Sequence, residues 1–501
     1  MKKLSELIIE KNKYLPLVCN GNGTCGKCKV RIRGCDPENV SGLSACEKRL
    51  LLKDEQADCI RLACQTYVSD DFDIADVEIL SSEEDISTGD YDINTDCVES
   101  RGKAKSLCIA IDIGTTTIQG ALIDNSGNVL EIISGINHQR SFGADVISRI
   151  DSAARGYAVK LREIIVSDLN VLITGLLRTV TDKEKVGRVA ISANTTMIHL
   201  LLGFDVSGLG RYPFTPVDLA PKFGSGGAIF TDKRVVGARV DFMPGISAYI
   251  GGDIVSGIYY LELDRRKENV LLLDLGTNGE IALSTGGSIY VASTSAGPAF
   301  EGGRLTSGVA SIPGAISGVT ITDGIRVKYE TIGSRTPVGI CGSGMVDVVA
   351  ELRKNALIDK NGTFTDENMT EFAIAGRIRV SQRDIRELQM AKAAIRTGVD
   401  ILLLESGIKN EDIDSVELAG GFGKNVNPVS MVNIGLIDES LLALTEACGN
   451  TSLLGAIKYL VRSNDNTGEY DRLRKIVESS REVVLSNHED FNDRYLQNMW
   501  I

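Results

Sequence analysis

Four cysteines near the start of the chain have the spacing of a metal-cluster site. Cys19, Cys25 and Cys28 follow a C-x5-C-x2-C pattern, and Cys64 comes after 35 intervening residues. Four thiolates are what a [2Fe–2S] cluster requires, two for each iron. The glycines among these cysteines allow the loop to fold tightly and to direct backbone N–H groups toward the sulfides. The sequence therefore predicts a cluster held by these four residues.

Other interpretations of this segment are weaker. A four-cysteine zinc site usually has two C-x2-C pairs, and this segment has one. The spacing Gly21-x-Gly23-x-x-Gly26 matches a dinucleotide-binding fingerprint, but a cysteine lies inside it and no helical pattern follows. Cys59 is the alternative to Cys64 as the fourth ligand. Like the remaining cysteines of this segment, it is otherwise interpreted as a small apolar residue.

Two further segments place an acidic residue, glycine and hydroxyl side chains directly after an apolar strand. They are Asp112-Ile113-Gly114-Thr115-Thr116 after the run 107–111, and Asp274-Leu275-Gly276-Thr277-Asn278 after the run 270–273. Glycine lets the backbone approach a phosphate, hydroxyl and N–H groups bind its oxygens, and an aspartate can hold Mg²⁺ through water.

A third segment, Gly420-Gly421-Phe422-Gly423, has glycines that permit close stacking of an adenine against the backbone. Each of the three segments alone also fits a plain hairpin or loop. All three in this order, each after an apolar strand, predict an ATP site. The sequence has no Gly-x-x-x-x-Gly-Lys-Ser/Thr segment, which excludes a P-loop.

The elements that must position these residues fall into zones of different composition. We predict a cysteine-rich domain at 1–69, an acidic linker at 70–105 with a strand near 76–80, a first lobe at 106–190, the rest of the ATP-binding domain at 191–465, and a C-terminal tail at 466–501. Strand–turn–strand units begin near 107 and again near 270. This repetition, about 160 residues apart, indicates a duplicated fold.

The overall charge limits the kind of partner. The chain of 501 residues has 67 acidic and 54 basic side chains, for a formal net charge of −13. Such a surface disfavours nucleic acids and anionic membranes. The N-terminal residues lack a continuous apolar stretch typical of a secretory signal, and clustered cysteines outside a disulfide framework are typical of metal binding inside the cell. We therefore expect a cytoplasmic protein.

The cysteine spacing and the ending Arg61-Leu62-Ala63-Cys64-Gln65 resemble the plant- and vertebrate-type [2Fe–2S] ferredoxins over about 15–68. With only 17 residues before the cluster loop, we expect the initial β-hairpin of that family to be shortened. The order of the other three segments resembles the superfamily of acetate and sugar kinases, heat-shock chaperone ATPases and actin. The implied fold class is an α+β ferredoxin-like (β-grasp) domain followed by a two-lobed α/β, actin-like and ribonuclease-H-like ATPase domain.

The combination of domains resembles the reductive activators of corrinoid proteins over about 15–460. Further segments that carry the resemblance are 143–149 (GADVISR), 194–197 (NTTM), 297–303 (GPAFEGG), 341–344 (CGSG) and 384–389 (DIRELQ). The resemblance implies ATP hydrolysis coupled to reduction of Co(II) corrinoid to Co(I) for a methyltransferase system. It implies an upstream electron donor, and it makes a homodimer plausible.

The resemblance also implies roles for single residues. Asp112 and Asp274 are expected to contact Mg²⁺ through water, and Asp253 or Glu280 to orient the attacking water. The residues expected to line the phosphates are Gly114, Thr115, Thr116, Gly276, Thr277 and Asn278. Gly420, Gly421 and Gly423 are expected to border adenosine. For Asp253, a plain helix N-terminal position is the alternative.

Two rival functions stay open on the sequence. One is a small-molecule kinase with an accessory redox domain, which would transfer a phosphoryl group to a bound substrate. The other is an ATP-gated electron carrier or redox sensor that acts on another protein without turning over ATP. ATP hydrolysis measured with and without a corrinoid protein separates these functions.

Overall fold

A computed structural model describes most of the chain. The residues it does not describe are 12, 14, 16, 18–20, 22, 24–25, 34–35, 81–85, 88–106, 125, 277, 324–325, 424 and 464–467, together with the side chains of 86 and 87. Of the predicted site residues, Cys19, Cys25 and Thr277 lie outside the described residues. No helix within the described residues combines the length and apolar character needed to cross a bilayer.

The N-terminal domain is a small α+β unit around an apolar core. Its elements are β1 (Lys2–Lys3), α1 (Leu4–Glu10), β2 (Lys29–Ile32), α2 (Ala45–Leu50), α3 (Lys53–Ala57), β3 (Ile60–Leu62), β4 (Tyr67–Val68) and β5 (Val77–Ile79). Strand β1 pairs with β4, and an antiparallel sheet runs in the order β3–β2–β5. Among the described residues the initial hairpin is incomplete, because the two-residue strand β1 leads directly into helix α1, whose Leu4 and Ile8 are buried.

Part of the predicted linker belongs to this domain. Ile79 pairs with Val30, and Val77 pairs with Ile32 while burying its side chain in the core. Alternating apolar residues in this stretch give β5 a buried face despite the acidic residues around it. The sheet of the N-terminal domain therefore includes residues 77–79.

The first lobe of the remaining chain is built on a mixed sheet. Its elements are β6 (Ile86–Ser87), β7 (Leu107–Ile113), β8 (Thr117–Ile123), β9 (Val129–Ile136), α4 (Val146–Ser152), α5 (Ala158–Leu176), β10 (Val186–Ala193), α6 (Thr195–Leu202), β11 (Lys222–Ser225), β12 (Arg239–Phe242) and α7 (Gly252–Tyr260). The strand order is β11–β12–β10–β7–β8–β9–β6, with β7, β8 and β9 antiparallel and β10 and β12 parallel to β7. The predicted boundary at 190/191 falls inside β10.

The second lobe repeats this plan. Its elements are β13 (Val270–Leu275), β14 (Gly279–Thr285), β15 (Ser288–Thr294), β16 (Ala315–Thr322), β17 (Arg326–Thr331), β18 (Gly339–Ile340), α8 (Gly342–Lys354), β19 (Glu371–Ala375), β20 (Ile378–Ser381), α9 (Gln382–Ser406), β21 (Ser415–Ala419), α10 (Gly420–Gly423), α11 (Pro428–Asn433), β22 (Thr445–Gly449), α12 (Thr451–Arg462), α13 (Gly468–Ser479), β23 (Ser480–Glu482) and α14 (Phe491–Gln497).

The two sheets share the topology of five strands, β12–β10–β7–β8–β9 in the first lobe and β22–β21–β13–β14–β15 in the second. The second sheet runs β22–β21–β13–β14–β15–β23, with β13, β14 and β15 antiparallel and β21 and β22 parallel to β13. Strands β7 and β13 occupy equivalent central positions. Both are almost continuously apolar and buried, as expected for strands covered on both faces. The structure thus shows the duplication that the strand–turn–strand units indicated.

Helices α7 and α12 join the two lobes by crossing backbone to backbone. A Cβ added to Gly257 would lie 3.0 Å from the Thr451 hydroxyl, and one added to Gly455 would lie 2.2 Å from the Ser256 carbonyl oxygen. Only glycine permits so close an approach at the crossing.

The charged C-terminal segment packs on the second lobe and, through α13, on α7 of the first lobe. Strand β23 pairs with β15, and Leu473 and Ile476 of α13 are buried. Lys392 of α9 donates to the carbonyl oxygen of Asn498 at 2.5 Å. Charge dominates this segment, but its few apolar residues face one side of α13 and fix it to the domain.

Candidate functional site

Asp112, the penultimate residue of β7, is hydrogen-bonded by residues at the N terminus of α12, which belongs to the other lobe. Asn450 Nδ2 donates to Asp112 Oδ2 at 2.8 Å, and Ser452 Oγ donates to Asp112 Oδ1 at 2.7 Å. Asn450 also caps α12, because its Oδ1 accepts from the Leu453 N–H at 2.9 Å. A carboxylate near a helix N terminus is favoured by the helix dipole. Burial nevertheless raises the pKa of Asp112 above its ordinary value.

The four acids predicted to be catalytic meet between the lobes. Burial, followed by the charge of Asp112, raises the pKa of Asp253 to about 7. Burial and the charges of Asp253 and Asp112 raise the pKa of Asp274 to about 7. Burial and the charges of Asp253 and Asp274 raise the pKa of Glu280 well above its ordinary value. A divalent cation would relieve this repulsion. Among the described residues no three such side chains are close enough to hold a metal ion directly, so the carboxylate oxygens would contact Mg²⁺ through water.

The first phosphate loop, residues 114–116, begins with a turn that requires glycine. Gly114 N donates to the Thr117 carbonyl oxygen at 2.9 Å, and a Cβ on Gly114 would lie 2.7 Å from that same oxygen. The Thr115 hydroxyl accepts from Asn194 Nδ2 at 3.2 Å. The Thr116 hydroxyl donates to Glu301 Oε2 at 2.9 Å, a contact between the two lobes. This loop therefore lies at the cleft.

The second phosphate loop and the adenosine segment lie beside Asp274. Gly276 N donates to the Asn278 carbonyl oxygen at 3.1 Å. Gly420 has φ +84°, and a Cβ there would lie 2.8 Å from Asp274 Oδ1. Gly423 packs against the Leu418 carbonyl oxygen, whereas a Cβ added to Gly421 would have no atom of the described residues within 4 Å. The structure thus brings the Gly276 and Gly420 turns to one carboxylate, at the ends of the neighbouring parallel strands β13 and β21.

The described part of the cluster loop fits a cluster held by cysteines. Cys28 and Cys64 are 2% and 1% exposed. A Cβ on Gly21 would lie 3.9 Å from Cys64 Cβ, so the loop lies against this cysteine. Gln65 Nε2 donates to the Gly21 carbonyl oxygen at 2.9 Å and approaches Cys64 Sγ at 3.7 Å. Cys59 is half-buried at the other end of β3, which favours Cys64 as the ligand.

A buried ion pair holds the strand that leads to Cys64. Arg61 donates to both oxygens of Glu47 at 2.8 and 3.1 Å, and the Leu62 N–H donates to Glu47 Oε1 at 3.1 Å. Burial raises the pKa of Glu47, but the hydrogen bonds from Arg61, Ser44 and Leu62 outweigh it, and the pKa falls below its ordinary value. The ordered carboxylate fixes the position of β3.

The N-terminal domain contacts both lobes near the cleft. Lys27, next to Cys28, donates from Nζ to the Gly308 carbonyl oxygen of the second lobe at 2.5 Å. Leu15 N donates to Ser141 Oγ of the first lobe at 3.4 Å. Gly308 itself packs on Gly302, since a Cβ on Gly308 would lie 2.0 Å from the Gly302 carbonyl oxygen. The cluster loop therefore approaches the loop that presents Glu301.

Comparisons with known proteins match every part of this architecture. A model described as a 2Fe-2S iron-sulfur cluster binding domain matches residues 3–69, one described as the RACo middle region matches 107–266, and one described as the C-terminal domain of RACo, the ASKHA domain, matches 268–501. The corrinoid activation enzyme RamQ of Eubacterium limosum is 34% identical over 447 residues, which cover 80% of this chain and 72% of that protein. The chain belongs to the family of reductive activators of corrinoid proteins.

Other reductive activators are similar along most of their length. The [Co(II) methylated amine-specific corrinoid protein] reductase of Methanosarcina barkeri is 25% identical over 423 residues, covering 77% of this chain and 76% of that protein. A solved structure titled reductive activator for corrinoid, iron-sulfur protein superposes with a TM-score of 0.71 at 29% identity, covering 100% of this chain and 95% of that one. The family and the fold class expected from the sequence are confirmed, including its [2Fe–2S] and ATP-binding types of domain.

Several residues at the site of this reductive activator cannot be recognised from the sequence. Asn450 and Ser452 bind Asp112 from 338 and 340 positions away, so no local pattern could reveal them. Gln119, opposite Asp112 on β8, accepts from Asn450 at 2.8 Å. It is the counterpart of Glu280, which lies opposite Asp274 on β14. Glu301 lies within the segment 297–303, one of those that resemble the family, and only this resemblance points to it in the sequence.

Proposed function

We propose that this chain hydrolyses ATP to drive an electron onto the Co(II) of a corrinoid protein, which restores Co(I) for a methyltransferase system. The observation that carries the proposal is the cleft: four carboxylates, one buried and three half-buried, lie with glycine-rich turns from both lobes in a chain that also has a ferredoxin-type cysteine loop. The reductase and activation names of its relatives support the same reaction. We also propose that it acts in the cytoplasm and that an upstream donor resupplies the electron.

The cysteines give the chain its redox function in this proposal. A [2Fe–2S] cluster would be held by Cys19, Cys25, Cys28 and Cys64. Clusters of this type supply one electron at a reduction potential of about −400 mV. If the cobalt couple lies a further ~200 mV lower, a one-electron transfer costs roughly 5 kcal/mol. Such an uphill step is within reach of ATP hydrolysis. The burial of Cys28 and Cys64 excludes water from this side of the loop.

The acids and loops of the cleft would carry the ATP chemistry. Asp112 and Asp274 would hold Mg²⁺ through water, and Asp253 or Glu280 would orient the attacking water. Mg²⁺ bound with ATP would compensate the charges that raise the pKa values of these acids. The turns at Gly114, Gly276 and Gly420 would contact the nucleotide from both lobes. Binding of ATP would therefore draw the lobes together and favour docking of the corrinoid protein, and hydrolysis would release it.

The test uses the full chain purified anaerobically with its cluster, a low-potential reductant and a Co(II) corrinoid protein. We expect the Co(I) absorption to rise with ATP, and not with ADP or a non-hydrolysable ATP analogue. Phosphate release should increase when the corrinoid protein is added. Co(I) formation at the same rate without ATP would contradict the coupling. Phosphorylation of a small molecule with no effect of the corrinoid protein would favour the kinase.

A further inference from the structure

The first phosphate loop is held from behind through its carbonyl groups. Asn137 Nδ2 donates to the Gly114 carbonyl oxygen at 2.9 Å. Arg149, whose side chain is 0% exposed, donates from Nη2 to the Thr115 carbonyl oxygen. In a trans peptide the carbonyl and the following N–H point in opposite directions. The N–H groups of Thr115 and Thr116 therefore point away from these donors.

Those two N–H groups are available to a ligand. Among the described residues, the recorded hydrogen bonds of the loop use Gly114 N and the Thr116 carbonyl oxygen, and none has Thr115 N or Thr116 N as its donor. The Thr116 side chain lies in the cleft, because it reaches Glu301 of the other lobe. Adjacent N–H groups on one side of a loop form a concave site that suits a phosphate oxygen.

Arg149 is a buried cation with neutral hydrogen-bond partners. Its Nε donates to the Gly143 carbonyl oxygen at 3.0 Å, and its Nη1 lies 3.2 Å from Gln139 Oε1 and 3.1 Å from Met197 Sδ. Within the described part of the chain, none of its hydrogen bonds goes to a carboxylate. Arg61, by contrast, pairs with Glu47. The charge of Arg149 is therefore not neutralised by direct contact.

The surroundings leave Arg149 positively charged at neutral pH. Burial, followed by the charge of Arg140, lowers the pKa of Arg149 to about 9, while the negative charges of Asp145, Glu301 and Asp168 act in the opposite direction. At pH 7 the guanidinium is still protonated. A buried positive charge behind a phosphate loop acts through a medium of low dielectric, where its field is weakly screened.

The segment 143–149 has the residues needed to place this side chain. A Cβ on Gly143 would lie 2.5 Å from Ser148 Oγ, so glycine allows the chain to turn tightly into α4. Asp145 caps α4 by accepting from Ser148 N at 2.8 Å. Arg149 then follows in the first turns of α4, beneath the loop. These contacts give a structural reason for the GADVISR segment.

We propose that Arg149 is a positioning residue of the ATP site: it fixes the Thr115 carbonyl so that the loop N–H groups face the phosphates, and its charge, which no carboxylate of the described residues contacts directly, favours phosphorylated ligands. The proposal rests on the proposed function, because it assigns ATP phosphates to this loop. It predicts that the contribution of Arg149 depends on the phosphates and not on the adenosine part of the ligand.

The test compares nucleotide affinities of the full chain containing its cluster. We expect Arg149→Met to weaken binding of ATP and ADP by about tenfold or more, with little change for adenosine; tenfold corresponds to ~1.4 kcal/mol. Arg149→Lys should recover part of the lost affinity, because lysine keeps the positive charge but lacks the planar guanidinium with its several N–H donors. Arg162→Met is the matched control, since Arg162 donates to one carbonyl, that of Leu201, and should leave all affinities unchanged.

Two results would overturn the proposal. One is wild-type affinity for ATP and ADP in Arg149→Met. The other is an equal loss for adenosine and ATP, which would indicate a role in folding only. Thermal unfolding of each variant is measured in parallel, and if Arg149→Met does not fold, Arg149→Lys decides by its ratio of ATP to adenosine affinity. Wild-type protein that does not bind ATP would instead contradict the proposed function.

Discussion

The Thr116 hydroxyl donates to Glu301 across the cleft at 2.9 Å. Thr116 belongs to the first phosphate loop, and Glu301 lies close enough to Asp274 to raise its pKa. A hydroxyl has a single proton to donate. If Thr116 is to donate to a phosphate oxygen, this bond to Glu301 must break. The relationship therefore sets a competition between the Glu301 carboxylate and the phosphates of a nucleotide.

We predict that Glu301→Gln increases the affinity for ATP when Mg²⁺ has been removed. The change deletes a negative charge beside the phosphates, and two unit charges 4 Å apart repel by about 4 kcal/mol near a protein surface. Even a third of that repulsion corresponds to about a tenfold change in affinity. Fluorescence titration with a labelled ATP analogue in the presence of a chelator measures it.

The control for this variant is Glu330→Gln, an exposed glutamate of β17. It removes the same charge from the same lobe and should leave the affinity unaltered. Weaker binding of ATP by Glu301→Gln would show that the carboxylate assists the nucleotide instead of competing with it.

The contribution of Asp274 to the stability of the nucleotide-free protein should fall as the pH rises. Asp274 has a pKa of about 7 in the folded chain, raised by burial and by neighbouring acids, against about 3.9 when unfolded. Between these values the folded state binds more protons, so stability decreases from about pH 4 to about pH 7 and then levels off with respect to this group. Asp274→Asn should gain stability relative to wild type over that interval.

Urea unfolding at several pH values without nucleotide or Mg²⁺ measures this difference. Asp323→Asn, an exposed residue, is the control and should track the wild type. A stability difference between Asp274→Asn and wild type that stays constant from pH 5 to pH 8 would contradict the prediction.

Asp253→Asn should separate ATP turnover from ATP binding. Asp253 lies in the first turn of α7, close to Asp112 and Glu280. If it orients the attacking water, its loss lowers kcat by about 10² or more, the range for a general base, with a small change in KM. Phosphate release stimulated by the corrinoid protein reports both values. If Glu280→Gln abolishes turnover and Asp253→Asn does not, Glu280 has that role.

The identity of the fourth cluster ligand can be tested with Cys59 and Cys64, which flank β3. Cys64 is buried against the cluster loop, and Cys59 is half-buried at the far end of β3. We predict that Cys64→Ala loses bound iron and the [2Fe–2S] absorption, and that Cys59→Ala keeps both. Iron analysis and the visible spectrum of anaerobically purified protein measure this. If Cys59→Ala loses the cluster and Cys64→Ala keeps it, Cys59 is the fourth ligand.

Local patterns in the sequence were sufficient to predict the site residues that lie at the ends of the central strands. Asp112 and Asp274 follow apolar runs, and the glycine turns beside them have chemistry that can be read from neighbouring residues. Asn450 and Glu301 were not predictable as partners, because they reach the site through contacts between distant segments. The charge pattern concealed β23, whose three residues complete a sheet edge, and it also concealed that the predicted strand near 76–80 belongs to the sheet of the N-terminal domain.

The crossing of α7 and α12 has a mechanical consequence. At Gly455 the backbone of α12 lies against the Ser256 carbonyl group of α7, and the larger side chains of both helices pack around this point in one buried core that holds the two helices together. The contact can therefore act as a pivot, with each lobe as the arm of a lever. A small turn there would translate into a larger displacement at the outer surfaces, where a docked protein could sense which nucleotide is held.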